Sequence, residues 1–307
     1  MIQSPTIVQL PPPPEGKSGW PWTEESSPFP QLQPSGKHWP RISIVTPSYN
    51  QGRFIEETIR SVLLQGYPNL EYVVVDGGSD DETVSILRKY DKWISWWCSE
   101  SDDGQTNAIN KGFGRATGDI RGYINSDDYY SRNAFRAVVY SYLSEGWDFF
   151  IGKTARQSHD RIGGRNWWKW KLKRIPFPFI VEVDCRYEVS QESTFWTVSH
   201  VGSKTFDETF HFCMDVDWFS RIALGAKILL HNQEIGYFRL HEASKSSTML
   251  DICRKENTRL KERSHIDIGK PWKRKLIITW WIKNIQAAVR ALFGKTSYFV
   301  YRHPDLY

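Results

Sequence analysis

The hydrophobic pattern of residues 42–90 alternates between strand-like runs and helix-like spacing. The run ISIVTPSYN begins at Ile42 with β-branched residues and ends at a proline and a serine, as expected of a buried strand. In GRFIEETIRSVLLQGY, residues 52–67, apolar side chains recur every three or four positions, which predicts a helix. The continuous apolar run YVVVDGG predicts a second strand that closes on Asp76.

The same alternation continues further along the chain. Ser79 and Glu82 have the spacing of a capping box and predict the start of a helix. The segment TNAINKGFGRATGD predicts a short helix that stops at Gly118, and IRGYIN predicts another strand. Ser131 is placed to cap the following helix. Strands that alternate with helices predict an α/β fold with a central, mostly parallel sheet.

Polar residues follow the predicted strands at the points where the strands end. Tyr49, Asp76 and Asp128 fall at such positions, and ligands of parallel sheets bind beyond the carboxyl ends of the strands. Asp127 and Asp128 repel each other, so a cation, solvent or hydrogen-bond donors must compensate the pair. Mg²⁺ or Mn²⁺ that also binds substrate phosphate would do this. The alternative interpretation is an ordinary acidic helix start.

The two ends of the chain differ in composition from this alternating region. Residues 1–39 are rich in proline and predict an extended arm outside the core, either pinned by Trp20 and Trp22 or left as a disordered linker. Residues 243–307 predict a basic, aromatic helical extension. Its segment KLIITWWIKNIQAAVRALF, residues 275–293, is too often interrupted by charge to span a bilayer and predicts a helix in the membrane interface. Packing on the body or on a partner subunit is the alternative.

Charge and cysteine content limit the functional classes. The net charge is +5, from 40 basic and 35 acidic residues, and the stretch RNWWKWKLKRIPFPFIV, residues 165–181, interleaves tryptophan with cations as in proteins at anionic lipid surfaces. Nucleic acid is a weaker interpretation, because no recognition module is visible. The four cysteines lack CxxC spacing and the first residues lack a signal peptide. We therefore expect a cytoplasmic protein, peripheral on the inner face of the cell membrane.

Five segments, in this order, resemble the family 2 glycosyltransferases of GT-A fold, of the bacterial polysaccharide-biosynthesis type: VTPSYNQGRFIEETIRSVLLQ, VVVDGGSDDETV, ESDDGQTNAINKGFGRATGD, YINSDDYY and MDVDWFSRI. The similarity covers about residues 41–241. It implies a GT-A (Rossmann-like) domain over residues 40–242, with a donor half at 40–150 and an acceptor half at 151–242. It also implies inverting, Mn²⁺- or Mg²⁺-dependent transfer from a nucleotide-diphosphate sugar to a hydroxyl of a glycan or lipid-linked glycan.

The resemblance implies roles for individual residues of the donor half. Asp76 matches the aspartate that hydrogen-bonds the base or ribose. Asp128 matches the metal ligand of the DxD-type site, with Asp127 nearer the ribose, although this chain reads Ser-Asp-Asp. The implied donor-binding set is Thr46, Pro47, Tyr49, Asp76, Asp103, Gln105, Asn107, Asn110 and Asp127, and the implied metal ligands are Asp128, Asp127 and His241.

The implied catalytic base lies in the acceptor half. Single displacement requires a base that takes the proton of the acceptor hydroxyl. Asp215 matches the second residue of the family's ED pair, with Met214 in place of the usual glutamate. Asp217 is the rival, and because helical positions two apart point about 200° apart, only one of the two can face the site. Gln191 and Glu192 match the strand on the acceptor side.

We interpret the chain as an inverting glycosyltransferase and keep two alternatives open. A sugar nucleotidyltransferase should carry a glycine-rich phosphate loop with a basic residue after the first strand, and TPSYNQG is not such a loop. A catalytically inactive, membrane-docked protein of the same fold is the other alternative. Release of nucleoside diphosphate from a sugar nucleotide would distinguish the enzyme from the inactive protein.

Overall fold

The computed structural model describes residues 4–158, 189–223, 225–242, 244–263 and 298–302. The strands are β1 (Ile42–Ser48), β2 (Leu70–Asp76), β3 (Trp96–Ser99), β4 (Ile120–Tyr123), β5 (Tyr129–Tyr130), β6 (Phe149–Ser158), β7 (Thr194–Thr197), β8 (Lys227–Leu240) and β9 (Tyr298–Arg302). The α-helices are α1 (Gly52–Leu63), α2 (Thr83–Tyr90), α3 (Gln105–Arg115), α4 (Ala134–Glu145), α5 (Val198–Val201), α6 (Met214–Ala223), α7 (Lys245–Thr248) and α8 (Leu250–Arg263).

The strands of the described residues form one mixed sheet. The strand order is β3-β2-β1-β4-β7-β6-β8-β5, and β9 pairs with β8. The strands β3, β2, β1 and β4 run parallel to one another. Beyond β4 the pairs are antiparallel, except for β6 with β8. The predicted α/β fold with parallel strands is therefore confirmed for β1 to β4, whereas the pairs formed by β5 to β9 are mostly antiparallel.

Two hydrophobic clusters cover the faces of the sheet. Ile44 of β1 belongs to the cluster formed with α1, α2 and α4, whereas its neighbour Val45 belongs to the cluster formed with α3 and α6. This alternation follows from the strand period of two, and it explains why β1 is apolar along its whole length. Gly112 lets α3 approach closely, since a Cβ there would meet the Val45 side chain.

The N-terminal arm is part of the folded body. The indole N–H of Trp20 donates to the Tyr130 carbonyl at 2.8 Å, and the Phe29 N–H donates to the Gly66 carbonyl at 3.0 Å. Of the two alternatives left open by the sequence, the structure shows the arm pinned by tryptophan, and the prediction that the arm lies outside the core is wrong. Four of its apolar side chains are buried: Leu10, Trp22, Phe29 and Trp39.

A buried arginine of α1 holds the arm in place. The guanidinium of Arg60 is fully buried and donates to the carbonyl oxygens of Pro11 at 2.8 Å, Pro21 at 3.1 Å and Trp22 at 2.9 Å. It also donates to the Tyr90 hydroxyl at 3.0 Å. Prolines cannot donate backbone hydrogen bonds, but their carbonyls accept them, so one guanidinium satisfies a segment that no sheet could pair.

The predicted capping box at Ser79 is wrong. The Ser79 hydroxyl donates to Asp76 Oδ1 at 2.5 Å and accepts from the Asn50 N–H at 2.8 Å, while α2 begins only at Thr83. The first helical N–H is bound instead by Asp81 Oδ1, at 2.9 Å. Ser79 therefore connects the end of β2 to the segment before α1.

Two further helix boundaries differ from the prediction. The Ser131 hydroxyl donates to the Glu234 carbonyl of β8 at 2.5 Å, and α4 follows Asn133, whose φ of 63° lies in the left-handed region. Helix α3 ends at Arg115, before Gly118. In the first case a long-range partner takes the side chain that local spacing had assigned to a cap.

The end of the chain returns to the sheet, because β9 pairs antiparallel with the start of β8. The predicted extension over 243–307 therefore includes a strand as well as helices. The predicted interfacial helix at 275–293 and the tryptophan-rich stretch at 165–181 lie outside the described residues. In the part of the chain that the structure describes, no helix combines the length and the hydropathy needed to cross a bilayer.

Candidate active site

The carboxyl ends of β1, β2 and β4 meet at one edge of the sheet. Ser48 is in register with Asp76, and the Ile124 N–H after β4 donates to the Val45 carbonyl of β1 at 2.9 Å. Tyr49 follows β1 and is 63% exposed. Parallel sheets bind ligands at this kind of edge, and the residues predicted from the strand ends are thus brought together.

Asp76 is fully buried and fully bonded. Its Oδ2 accepts from the Ser79 N–H at 2.9 Å and from the Ser99 hydroxyl at 2.6 Å, and its Oδ1 accepts from the Ser79 hydroxyl. Thr46 of β1, another predicted donor-binding residue, is also buried and shares a hydrogen bond with the Tyr72 hydroxyl at 3.1 Å. These contacts fix the shape of the edge.

The sequence did not single out Ser48, which occupies the same edge. Its buried hydroxyl has no hydrogen-bond partner among the described residues. A buried hydroxyl without a partner costs free energy, and a ligand bound at this edge would supply the missing hydrogen bond. The only sequence signal was its position at the end of the strand.

Asp128 lies inside the protein and is 1% exposed. Its Oδ1 accepts from the Arg239 N–H at 2.9 Å, and its Oδ2 accepts from the Gln191 amide at 3.1 Å and the Asn125 amide at 3.4 Å. Burial, with the neighbouring charge of Asp127, raises the pKa of the Asp128 carboxyl well above its ordinary value. The protein itself thus occupies both oxygens of the residue that was predicted to bind metal.

Asp127 has a different environment, although it is adjacent in sequence. Its side chain is 20% exposed, and its Oδ2 lies 3.0 Å from Nε2 of His241. The His241 ring packs against Phe54 with centroids 4.6 Å apart. The structure therefore places Asp127 and His241 side by side, as two of the three predicted metal ligands.

This pair fits a divalent cation in its chemistry. A carboxylate and an imidazole are ligands of Mn²⁺, and Mg²⁺ or Mn²⁺ takes few protein groups and completes its shell with water and phosphate oxygens. The described residues contain no group of three or more acidic, histidine or cysteine side chains arranged to hold a metal.

Arg239 was missed by the sequence reasoning and connects both aspartates to α1. Its Nη1 donates to the Asp127 carbonyl at 2.6 Å, and its Nη2 lies 2.8 Å from Glu57 Oε2. The guanidinium also stacks over the Tyr129 ring, 4.7 Å from its centroid. A charged side chain in the apolar segment IGYFRL, residues 235–240, requires a partner, and this requirement is the signal that could have identified it.

The predicted segment after β3 divides into two groups. The Gln105 amide donates to Asn125 Oδ1 at 2.6 Å and thereby joins the loop that holds the aspartates, while Asp103 is exposed. Asn107 and Asn110 instead donate to the Glu208 carboxylate at 3.0 and 2.8 Å. The latter two amides hold the loop before α6 and are not turned toward the strand edge.

Asp215 lies in the first turn of α6 and is 5% exposed. Its Oδ1 accepts from the Val216 N–H at 2.8 Å. The rival Asp217 is bound in ion pairs, with Arg221 at 2.8 Å and Arg263 at 3.4 Å. Both carboxylate oxygens of Asp217 are thus engaged by arginines, which favours Asp215 of the two as the base.

The predicted acceptor residues are buried beside these acids. Gln191 binds Asp128, as described above, and Glu192 is 1% exposed with an Oε1 that has no partner among the described residues. Burial, with the nearby charge of Asp215, raises the pKa of Glu192 to about 7. Glu192 and Asp215 are therefore electrostatic neighbours.

Comparison with known proteins agrees with this architecture. Residues 43–203, just over half of the chain, match Glycosyl transferase family 2. An uncharacterised glycosyltransferase of Mycobacterium tuberculosis is 29% identical over 195 residues, which cover 60% of this chain and 70% of that protein.

Two solved structures share the fold. S. aureus TarS 1–349 in complex with UDP-GlcNAc aligns with a TM-score of 0.59 at 18% identity, over 82% of this chain and 74% of that chain. The mannosyltransferase PcManGT from Pyrobaculum calidifontis, in complex with GDP-Man and Mn²⁺, aligns with a TM-score of 0.54 at 15% identity, over 84% and 89%. At these identities the likeness shows the fold alone.

The mixed sheet and the fold shared with these two structures are those of the GT-A class. The chain belongs to glycosyl transferase family 2.

Proposed function

We propose that the protein transfers a sugar from a nucleotide-diphosphate donor to a hydroxyl of a glycan or lipid-linked glycan, with inversion and with the help of a divalent cation. The observation that carries the proposal is the presence of two kinds of acidic group among the residues that the family resemblance assigns to the site. Asp127 and His241 form a partly exposed pair, whereas Asp215 and Glu192 are buried and interact electrostatically. Inverting transfer needs both kinds of group, because a cation offsets the charge of the leaving diphosphate while a base takes the proton of the acceptor hydroxyl.

The donor would bind at the edge formed by β1, β2 and β4. Tyr49 offers an exposed ring for a base, and Asp76 and Ser48 line the same edge. The complexes of the two similar structures, one with UDP-GlcNAc and one with GDP-Man, support a nucleotide sugar as the donor.

Of the three predicted metal ligands, Asp127 and His241 would hold the cation. Asp128 already accepts hydrogen bonds on both oxygens, so its role would be to fix the loop that carries Asp127. When bound, the cation would offset the negative charge that develops on the leaving diphosphate. The Mn²⁺ of the PcManGT complex supports this choice of metal.

Asp215 would act as the base. The acceptor oxygen would attack the anomeric carbon, the bond from that carbon to the diphosphate would break, and the hydroxyl proton would pass to the Asp215 carboxylate. Glu192 lies beside this carboxylate and has a pKa of about 7, so near neutral pH it exists partly as a neutral acid that can donate a hydrogen bond to an acceptor hydroxyl.

The test is the release of free nucleoside diphosphate from uridine, guanosine and thymidine diphosphate sugars, with and without Mn²⁺. We expect one donor class to be consumed slowly even without acceptor, and only with the metal. Asp127→Asn and His241→Ala should each raise the Mn²⁺ concentration needed for half-maximal rate, whereas Glu242→Gln, an exposed neighbour, should not. Metal-independent release, or no release with any donor, would contradict the proposal.

Membrane association is a separate part of the proposal, and it rests on the basic, aromatic segments at 165–181 and 275–293. We expect the protein to sediment with anionic vesicles but not with neutral ones. Since β9 completes the sheet, deletion of the C-terminal residues would disturb the fold, and Trp280→Ser with Trp281→Ser is the better variant. Unchanged sedimentation of the double variant, and of one altered at Trp167 and Trp168, would contradict this part.

A further inference from the structure

The loop that leads into α6 is bound by a carboxylate from a different helix. We call residues 207–213 the base loop, because α6 and Asp215 follow it directly. Glu256 of α8 accepts hydrogen bonds from three successive N–H groups of this loop: His211 at 2.7 Å, Phe212 at 2.9 Å and Cys213 at 2.7 Å. One acidic side chain therefore fixes the backbone conformation immediately before the helix that carries Asp215.

The position of Glu256 is suited to this task. It is 7% exposed, and it lies before the N-terminus of α6, where unpaired N–H groups and the helix dipole favour a negative charge. Its Oε1 binds His211 and its Oε2 binds the next two N–H groups, so both oxygens are used. An amide in its place would present one oxygen and one NH₂ group, and at least one backbone N–H would then face a donor.

Other contacts hold the rest of the base loop. The Thr106 hydroxyl of α3 donates to the Phe210 carbonyl at 2.7 Å, and Arg263 of α8 pairs with Asp207 at 2.6 Å. Arg259 donates to the Thr209 carbonyl at 3.1 Å. These contacts lie at the start and middle of the loop, whereas the Glu256 contacts are at the end nearest Asp215. Loss of Glu256 should consequently change the local backbone there and leave the loop attached.

We propose that Glu256 is a positioning residue for the base: it acts through the base loop to set the place of the Asp215 carboxylate against the acceptor hydroxyl. This inference rests on the proposed role of Asp215. It assigns no contact with substrate to Glu256. A shift of the order of 1 Å in a catalytic group costs roughly 100-fold in rate, so a carboxylate that fixes the backbone can control turnover without touching the substrate.

The test compares Glu256→Gln with Glu262→Gln, an exposed glutamate on the same helix. We expect Glu256→Gln to lower kcat by roughly 10- to 100-fold, with the affinity for the nucleoside diphosphate changed by no more than about twofold. Glu256→Asp keeps the charge on a shorter side chain and should give an intermediate kcat. Glu262→Gln should match the parent protein. A parent-like kcat in Glu256→Gln would overturn the inference.

A second measurement separates positioning from a general structural role. In the Asp215→Asn background the base is already absent, so adding Glu256→Gln should change the residual rate by less than about twofold. An equal loss in both backgrounds would overturn the inference, and so would a matching loss of nucleotide affinity. If Glu256→Gln does not fold, Glu256→Asp is carried through the same cycle.

Failure of the proposed function gives a different result. If Asp215→Asn transfers sugar at the parent rate, the base assignment fails and this inference fails with it. If Asp215→Asn is inactive while Glu256→Gln keeps the parent kcat, the base assignment stands and only the role of Glu256 is lost.

Discussion

Two regions of the proposed site are built in different ways. Independently of the residue ranges 40–150 and 151–242, the donor half is here the region of β1–β3 and α1 around Asp76, and the acceptor half is the group of buried acids Asp128, Glu192 and Asp215. In the donor half the contacts are local: Asp76 is bound by Ser79, three residues later, and by Ser99 on the adjacent strand. In the acceptor half the contacts are distant: Asp128 is bound by Arg239, 111 residues away. A parallel sheet places its strand ends together automatically, whereas the mixed part of the sheet must assemble its site by individual long-range bonds.

The two halves also differ in how they treat charge. The Asp76 carboxylate is surrounded by hydroxyl and N–H donors and has no acidic neighbour within those contacts. By contrast, burial and neighbouring acids raise the pKa of Asp128 and of Glu192: Asp127 and Glu192 act on Asp128, and Asp215 acts on Glu192. Perturbed acids of this kind concentrate at functional sites, so the acceptor half is where we expect the chemistry and the donor half where we expect binding.

The largest effect should come from Asp215→Asn. Removal of a general base costs about 10²- to 10⁴-fold in rate, and binding of the nucleoside diphosphate should change little because the donor edge is untouched. Initial rates of transfer and equilibrium affinity, measured on the same preparation, check both statements.

Asp217→Asn is the matched control, two residues further along α6. It removes one partner of Arg221 and Arg263, so it should lower the unfolding free energy while the rate stays within a few-fold of the parent. If Asp217→Asn loses the rate and Asp215→Asn keeps it, the two residues must exchange roles. The distinction between a donor half that binds the nucleotide and an acceptor half that carries the base would still hold after that exchange.

The next largest effect should come from Arg60→Met in the donor half. It leaves the carbonyl oxygens of Pro11, Pro21 and Trp22 without their donor, and we expect a loss of about 3 kcal/mol or more in unfolding free energy. Denaturant unfolding measures this loss. Arg88→Met, an exposed arginine on α2, should change stability by no more than about 0.5 kcal/mol.

The outcome of Arg60→Met sharpens the comparison. Since the Arg60 guanidinium forms its hydrogen bonds among the described residues with Pro11, Pro21, Trp22 and Tyr90, and none of these is a predicted site residue, the folded fraction should keep its kcat. A parent-like stability would show that the arm contributes little, and a specific loss of kcat at full folding would show that the arm belongs to the chemistry.

Elements whose partners are close in sequence could be predicted, and the others could not. The strands before Asp76 and the helix between them followed from apolar spacing, because each buries its face against the next element along the chain. Ser79 was misassigned because a capping box and a bond to Asp76 use the same hydroxyl. Only the folded backbone decides between these two uses.

The different environments of Asp127 and Asp128 could not be predicted from the residues around them in the sequence. The two residues are chemically identical and adjacent, and the difference in their environments comes from Arg239, Gln191 and His241. Those partners lie between 63 and 114 residues away. The family resemblance indicated a metal site at this pair, but it could not say which carboxylate the protein would bury.

Glu192→Gln should have a smaller effect that depends on pH. The folded-state pKa of about 7 exceeds the ordinary value of 4.5, so between these values the unfolded chain is ionised while the folded protein holds the proton. Stability of the parent therefore falls as pH rises from 4.5 to about 7, and the penalty stays constant above that. Glutamine does not titrate, so the variant should gain up to about 3 kcal/mol relative to the parent at pH 8.

Unfolding free energies at pH 5 and pH 8 test this prediction, with Glu262→Gln as the control whose difference from the parent should not change with pH. A difference independent of pH would mean that Glu192 is ionised in the folded protein at pH 5. The acceptor half would then resemble the donor half in its treatment of charge, and the comparison would lose its electrostatic basis.

The smallest effect should come from the serines that bind Asp76. Ser79→Ala removes one hydrogen bond to Asp76 and the acceptor of the Asn50 N–H, whereas Ser99→Ala removes a bond to Asp76 alone. Each bond contributes about 1 kcal/mol, so nucleotide affinity should weaken by roughly fivefold in Ser99→Ala and further in Ser79→Ala. In both variants kcat should stay near the parent value, because the base and its neighbours are not touched.

Isothermal titration with the nucleoside diphosphate, beside initial rates, would show whether the donor half affects binding only. A fall in kcat without a fall in affinity would show instead that Asp76 helps to align the reacting sugar.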